Sequence, residues 1–297
     1  MLHTSFNIFG NFQAGRNYAE DSSLEDIKKR CNIIRSDHSD LPTRYHDTDG
    51  VQIPDDYDSR KIWSNCESIG MIRDEGDCGA SYSYAAVDAI ADRICIATKG
   101  QQKVELSALD LVSCGGQRCS GGDPMAAWKY WVSKGIVSEA CQPYPYPPCN
   151  HGDSLGPYKP CGHNMPDPKC VRKCVDKSNK KYKKDLNHGY RAYKLPEDEL
   201  MIKIEILRHG PIEVAINVYD DLLTYKSGVY RHISQNQLGG RALKLIGWGV
   251  ENGVKYWLCA NSWNAYWGDK GYIKIQRGVD ECGIESYAVA GEPITWA

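Results

Sequence analysis

The chain has 297 residues, 41% of them hydrophobic and 25% charged, which is the composition of an ordinary globular protein with a core of usual size. Lys plus Arg is 36 and Asp plus Glu is 38, a formal charge of −2, which argues against a dedicated nucleic-acid binder because such proteins need a basic excess. No uncharged apolar run is long enough to cross a bilayer as a helix.

Residues 1–50 are polar, with an amphipathic piece around Leu24–Arg35 and a loop-like stretch Ser36–Gly50, so they read as an appendage to the remainder of the chain. From Val51 the texture changes. Tyr84, Val87, Ala91 and Ile94 fall at steps of three, four and three, predicting a buried helix face that starts near Ala80 or Ser81. A second helix begins after Asp123-Pro124 and carries Met125, Trp128 and Trp131 to a stop at Gly135, with a capping Asp and a Pro in the first turn. A long irregular stretch, Cys141–Cys174, is rich in Pro and Cys and calls for covalent staples or a function. The run Lys177–Lys184 holds five lysines and reads as a solvated loop. A third helix spans about Pro196–His209 and ends at Gly210-Pro211. The period then becomes two. Ile212, Val214, Ile216 and Val218 alternate with Glu213, Ala215 and Asn217, and Ile273 and Ile275 alternate with Lys274 and Gln276. Helices first and mostly antiparallel strands later predict an α+β protein of two lobes, with ligands bound between them.

Thirteen cysteines are hard to reconcile with a reducing cytosol. None forms a pair of CxxC knuckles and no matched His pair comes after Cys170 and Cys174, so no metal is expected. Disulfides in a secretory compartment are the better reading, although Met1–Glu20 shows no basic segment followed by an apolar one. The odd total leaves at least one thiol outside the bridges.

Several landmarks carry a resemblance. They are Phe12-Gln13-Ala14-Gly15-Arg16-Asn17-Tyr18, Ile53-Pro54-Asp55-Asp56-Tyr57-Asp58-Ser59-Arg60, Cys119-Ser120-Gly121-Gly122, Gly247-Trp248-Gly249, Asn261-Ser262-Trp263, Trp267-Gly268 and the stretch Gly278–Ser286. With these the chain resembles the papain family of cysteine peptidases, and within it the cathepsin B branch. The resemblance implies a prosegment over residues 1–50 and a peptidase domain over 51–297. That domain would have a helical left lobe, a β-barrel-like right lobe and a substrate cleft between them. It also implies bridges Cys66–Cys95, Cys78–Cys119, Cys114–Cys170, Cys141–Cys174 and Cys149–Cys161, leaving Cys31, Cys259 and Cys282 as buried or prosegment thiols.

The catalytic positions depart from the family pattern. Where the family has Gln-Gly-x-Cys-Gly-x-Cys-Trp, this chain reads Glu75-Gly76-Asp77-Cys78-Gly79-Ala80-Ser81-Tyr82. Ser81 stands at the nucleophile, Glu75 at the oxyanion donor and Tyr82 at the Trp. Where the family has Gly-Gly-His-Ala, this chain has Gly239-Gly240-Arg241-Ala242, so Arg241 stands at the catalytic His, while Asn261 remains. A serine is a poor nucleophile without a base, and guanidinium stays protonated and has no acceptor lone pair. An ionised Glu75 offers acceptors where an oxyanion needs donors, and losing one such donor alone costs about 10²–10³ in rate.

These changes predict an inactive homologue, with a Glu75–Arg241 ion pair across the cleft and Ser81 as a hydrogen-bonding bystander. Alternatively Arg241 points to solvent. Two rival functions are a weak Ser81 hydrolase with Glu75 as base, and a structural or storage protein.

The loop 141–174 corresponds to the family's occluding loop, where two adjacent His grip a substrate carboxylate. Here the pair reads His151-Gly152, and Asp74 would latch His151 unless that residue is simply exposed. Tyr287 replaces the acidic residue of the family's S2 pocket, either shrinking it and removing its preference for basic side chains or packing as a plain core residue. Gly121, Gly122 and Trp263 would line the cleft. No cofactor is expected. Partners would be peptides, protein substrates or cystatin-like inhibitors of a monomer, in a lysosomal or extracellular setting.

Overall fold

A computed structural model describes residues 7–9, 12–14, 27–28, 30–35, 41–151, 156–162 and 165–294. Residues 15–18 of the Phe12–Tyr18 landmark, part of the Leu24–Arg35 piece, residues 36–40 and Gly152 lie outside them.

Four helices matter for the site. Helix α1, Ser81–Ala97, starts where the periodicity placed it. It is buried on nearly every side, because it lies between the two halves of the molecule and not on a surface. Helix α2, Ala108–Cys114, is capped by the Ser107 side chain and was not visible as a periodic pattern. Helix α3, Pro124–Lys134, has Asp123 accepting from Met125 N at 3.0 Å, Pro124 in its first turn and Gly135 at φ +78 as its stop. Helix α4, Glu199–His209, starts later than Pro196, because Asp198 supplies the cap by accepting from Leu200 N and Met201 N.

The strands are β1 (Asn7–Phe9), β2 (Phe12–Ala14), β3 (Tyr57–Asp58), β4 (Gly189–Lys194), β5 (Ile212–Tyr219), β6 (Tyr225–Tyr230), β7 (Gln237–Glu251), β8 (Val254–Ala260), β9 (Tyr272–Gln276) and β10 (Ala288–Pro293). Their order is β1-β2-β6-β9-β8-β7-β5-β10-β4, with β3 beside β7. The pairing is antiparallel except for β6 with β9. Among the described residues the sheet is open, which corrects the barrel-like expectation. The strand β2 reaches the sheet from the N-terminal segment, with the Phe12 ring packed between Tyr225 and Tyr230.

Two apolar clusters divide the interior. One gathers Ile212, Ile216, Trp248, Trp257 and Ile275 around the sheet. The other gathers α1, Leu111, Trp128 and Trp131. The simple alternation expected of β5 is only half right. Glu213 and Ala215 are buried as well, because α1 and α3 cover the second face, and Glu213 accepts from Trp128 Nε1 at 2.7 Å. Burial without a cation pushes the Glu213 carboxyl well above the usual range. The alternation in β9 is as expected.

The five bridges are those implied by the resemblance. Cys31, Cys259 and Cys282 are buried free thiols. The stretch 141–174 has no regular helix or strand among its described residues. Of the described residues of the Leu24–Arg35 piece, 27, 28 and 30 are helical, and 31–35 carry no regular element apart from an isolated bridge at Ile33. No helix among the described residues is long and apolar enough to cross a membrane.

Candidate active site

The site forms where three elements meet. The turn before α1 brings Asp74 and Glu75, β7 brings Arg241, and the segment after β8 brings Asn261, Ser262 and Trp263. Glu75 N donates to Ser262 O at 3.1 Å, and an isolated bridge joins Asp74 to Trp263, so the turn is tied to the opposite half.

Arg241 and Glu75 are completely buried, and Arg241 Nη1 donates to Glu75 Oε1 at 2.8 Å. The other guanidinium nitrogens are also committed. Nε donates to Asn261 Oδ1 at 2.5 Å and Nη2 to Ser262 Oγ at 2.9 Å. The guanidinium carbon lies 3.9 Å from the centroid of the Trp263 ring, whose Nε1 donates to Glu75 Oε1 at 3.0 Å. Burial raises the Glu75 carboxyl above its ordinary range, and Arg241 pulls against that shift. The solvent-facing alternative for Arg241 is therefore excluded by its burial.

Ser81 sits at the first position of α1, and its Oγ accepts from Ala242 N at 3.2 Å. No hydrogen bond joins it to Glu75 or Arg241. Asn261 accepts from Arg241 and from Ser262 N, while its amide nitrogen is buried without a partner. The arrangement can hold two lobes together, but it places no acceptor on the serine hydroxyl that could remove its proton.

The other expected residues surround this pair. Tyr82 is buried and donates to Arg118 O at 3.3 Å. His151 is buried, not exposed, and its Nε2 lies 2.7 Å from Asp74 Oδ1. Asp74 also accepts from Gly76 N, Cys149 N and Asn264 Nδ2. Burial alone would raise its carboxyl, but His151 and these donors hold it below the usual range. The His151 ring lies 5.7 Å from Trp263, at 18° to it, so the loop anchor and the ion pair share one indole. Tyr287 is buried and donates to Asp123 Oδ1 at 2.8 Å, fixed against the cap of α3.

The cleft is filled by residues 31–35 of the chain itself. Ile33 pairs with Gly122, Ile34 N donates to Gly122 O at 3.0 Å, Gly240 N donates to Cys31 O at 2.8 Å and Ile33 N donates to Gly240 O at 3.3 Å. Gly121 and Gly239 allow this approach: a Cβ on either would fall 1.7 or 1.8 Å from the carbonyl oxygen of Asn32 or Cys31. Burial pushes the Cys31 thiol up to about 11, with Arg241 opposing. The Arg35 guanidinium lies 5.6 Å over the Tyr287 ring and donates to Ala215 O at 2.9 Å. A basic side chain of the chain itself therefore rests on the buried Tyr287 ring.

Ser262 and Trp263 as partners of the ion pair were not foreseen. Trp263 was visible as a landmark and cleft-lining residue only, and nothing in a serine beside it marks a guanidinium acceptor.

The family model for papain family cysteine proteases matches residues 53–292. The chain belongs to the papain family. It is a cathepsin B-like member: it is 48% identical over 255 residues to cathepsin B-like cysteine proteinase 6 of Caenorhabditis elegans, covering 82% of this chain and 67% of that protein. It is 46% identical over 261 residues to a cathepsin B-like cysteine proteinase of Schistosoma japonicum, covering 84% and 76%. Among solved structures it is similar to procathepsin B S9 from Trypanosoma congolense, with TM-score 0.84, 36% identity and coverage of 97% and 94%.

Proposed function

We propose that this chain is a catalytically inactive cathepsin B-like homologue whose cleft binds peptides or cystatin-like protein inhibitors. The supporting observation is that Arg241, at the family's catalytic His, spends all three guanidinium nitrogens on Glu75, Asn261 and Ser262 in full burial. No side chain there can shuttle a proton, and Ser81 lacks a base. Glu75 is bonded to Arg241 and Trp263 and not to Ser81, which weighs against a serine hydrolase.

On this reading residues 1–50 are a prosegment, and its portion 31–35 marks the path an extended peptide would take between Gly122 and Gly240. The site residues would act as binding determinants: Gly121, Gly122 and Tyr287 along the cleft, and His151 with Asp74 at its loop-covered end. The five bridges favour a lysosomal or extracellular setting, and the protein would act as a monomer.

A peptide-library cleavage assay tests the proposal, run on the unaltered chain beside a Glu75→Gln, Ser81→Cys, Arg241→His variant. The expected result is no turnover by the unaltered chain and measurable turnover by the variant. Turnover by the unaltered chain that is lost in Ser81→Ala would overturn the proposal.

A further inference from the structure

Cys282 is buried at the bottom of a small cluster that the cleft does not use. Its Sγ lies 3.3 Å from Glu281 Oε1, and the same oxygen accepts from His232 N at 3.0 Å and faces His232 Nδ1 at 2.5 Å. The sulfur, imidazole nitrogen and carboxylate oxygen all lie within 4.8 Å of one another. We infer that His232, Glu281 and Cys282 form a binding site for a zinc-like divalent transition metal ion.

The donor set argues for that class of ion. Thiolate, imidazole and carboxylate together suit a borderline metal, whereas calcium and magnesium take oxygen ligands. Two ligands of a tetrahedral zinc stand about 3.5 Å apart, close to the sulfur–oxygen separation already present. The imidazole and carboxylate would open by about 1 Å to reach that spacing. Binding would expel the thiol proton to solvent and free Nδ1 as a ligand, the imidazole keeping its N–H at Nε2, so that thiolate, neutral imidazole and carboxylate face the ion. Two other groupings of metal-ligating residues occur among the described residues, but their sulfurs are committed to the Cys149–Cys161 and Cys141–Cys174 bridges.

The frame around the three ligands is built in advance. Cys282 has φ +57 and Asp280 φ +49, left-handed values that a β-carbon disfavours. The Asp280 side chain holds this turn by accepting from Glu285 N and Ser286 N at 2.8 and 3.0 Å. On the other side, the Tyr219 ring stacks on His232 at 4.2 Å and 11°. Asp221 accepts from Ile233 N and Ser234 N, next to His232, and from Tyr230 OH. Such outer partners orient metal ligands. Glu281 has a side-chain exposure of 8% and His232 of 31%, so the imidazole edge is the way in and a water can fill the fourth position. His232 and Glu281 are 49 positions apart in the chain, which is why no ligand spacing announced the site. The turn also packs against the Arg35 guanidinium at Gly283, so an ion here would stiffen one wall of the cleft.

The test is titration of the full-length chain with Co²⁺ alone, followed by absorption. One equivalent should give a thiolate-to-cobalt charge-transfer band that Zn²⁺ displaces and Mg²⁺ and Ca²⁺ do not. Cys282→Ser should abolish the band, and His232→Gln should weaken Co²⁺ binding more than tenfold. Cys31→Ser and Cys259→Ser should keep it. Tyr219→Ala should weaken binding about tenfold by loosening His232. Should Cys282→Ser fail to fold, His232→Gln, at the partly exposed edge, and Glu281→Gln carry the same test. No band, a band that survives in Cys282→Ser, or equal displacement by Ca²⁺ overturns the proposal.

Discussion

Replacing Glu75 with Gln removes one charge from a pair that has no access to water. Arg241 then keeps its charge in full burial, with Asn261 and Ser262 as neutral acceptors only. Breaking a buried ion pair from one side typically costs about 3–5 kcal/mol, because the remaining charge stays desolvated. For a chain of this size each kcal/mol lowers the midpoint by roughly 2–3 °C, so the Glu75→Gln melting temperature should drop by roughly 6–15 °C. Arg241→His alone should cost a similar amount, since it strands the Glu75 carboxylate against Trp263 Nε1. The double variant removes both charges and should recover about 2–4 kcal/mol of the summed losses. Urea unfolding of the four proteins under non-oxidising, non-reducing conditions gives the coupling directly. A coupling below about 0.5 kcal/mol would refute the view that this pair, and not the surrounding apolar contacts, joins the two halves.

Three further outcomes rest on single residues. Gly239→Ala should expel residues 31–35 from the cleft, because its Cβ would meet Cys31 O at 1.8 Å with φ at +152; faster proteolysis there reports it, and unchanged protection would contradict the steric reading. Asp74→Ala leaves His151, Gly76 N and Cys149 N without this acceptor and Asn264 Nδ2 with Cys149 O alone, and should cost about 2–4 kcal/mol by urea unfolding, with hydrogen exchange rising in the loop from residue 141 to 151. His209 is held down to about 4, from an ordinary 6.5, by burial and by Arg93 and Arg44, with Glu205 and Glu292 opposing. The unfolded chain therefore takes up the proton first, so this contribution is complete above about pH 6.5 and is lost as the pH falls towards 4. His209→Asn should flatten the fall in urea midpoint between those pH values, and an equally steep fall in the variant would place the cause elsewhere.

The helices and strands that bury one continuous apolar pattern were readable from residue order: α1 and β9 follow their apolar periodicity, and α3 and α4 end where glycines say. Helix α2 was not, because Ala108–Cys114 is too short to show a period. The alternation in β5 misled because packing on the second face is decided by α1 and α3, far away in sequence, and a lone glutamate such as Glu213 does not reveal that a Trp128 indole will meet it. The extended path of residues 31–35 was hidden for the same reason: its hydrogen bonds go to Gly122 and Gly240, not to local neighbours. Tyr287 shows the limit most clearly. Its ring reads as a bulky plug, yet its hydroxyl turns to Asp123 and leaves a π-face on which Arg35 rests.

The side chains of Glu75, Ser81 and Arg241 make sense together and not one by one. Arg241 without Glu75 would be a buried bare cation, and Glu75 without Arg241 a buried bare anion, each strongly unfavourable. As a pair they keep one positive and one negative group at the junction of the halves, with Trp263 against both. Ser81 is the smaller partner: its hydroxyl fits beside Ala242 N and makes no demand on the charge balance. The stranded amide nitrogen of Asn261 fits the same account. The side chain meets the guanidinium with its oxygen alone, and half of its hydrogen-bonding capacity goes unused. Placing an imidazole at 241 therefore requires changing Glu75 as well, because the carboxylate would stay buried without the guanidinium that neutralises it.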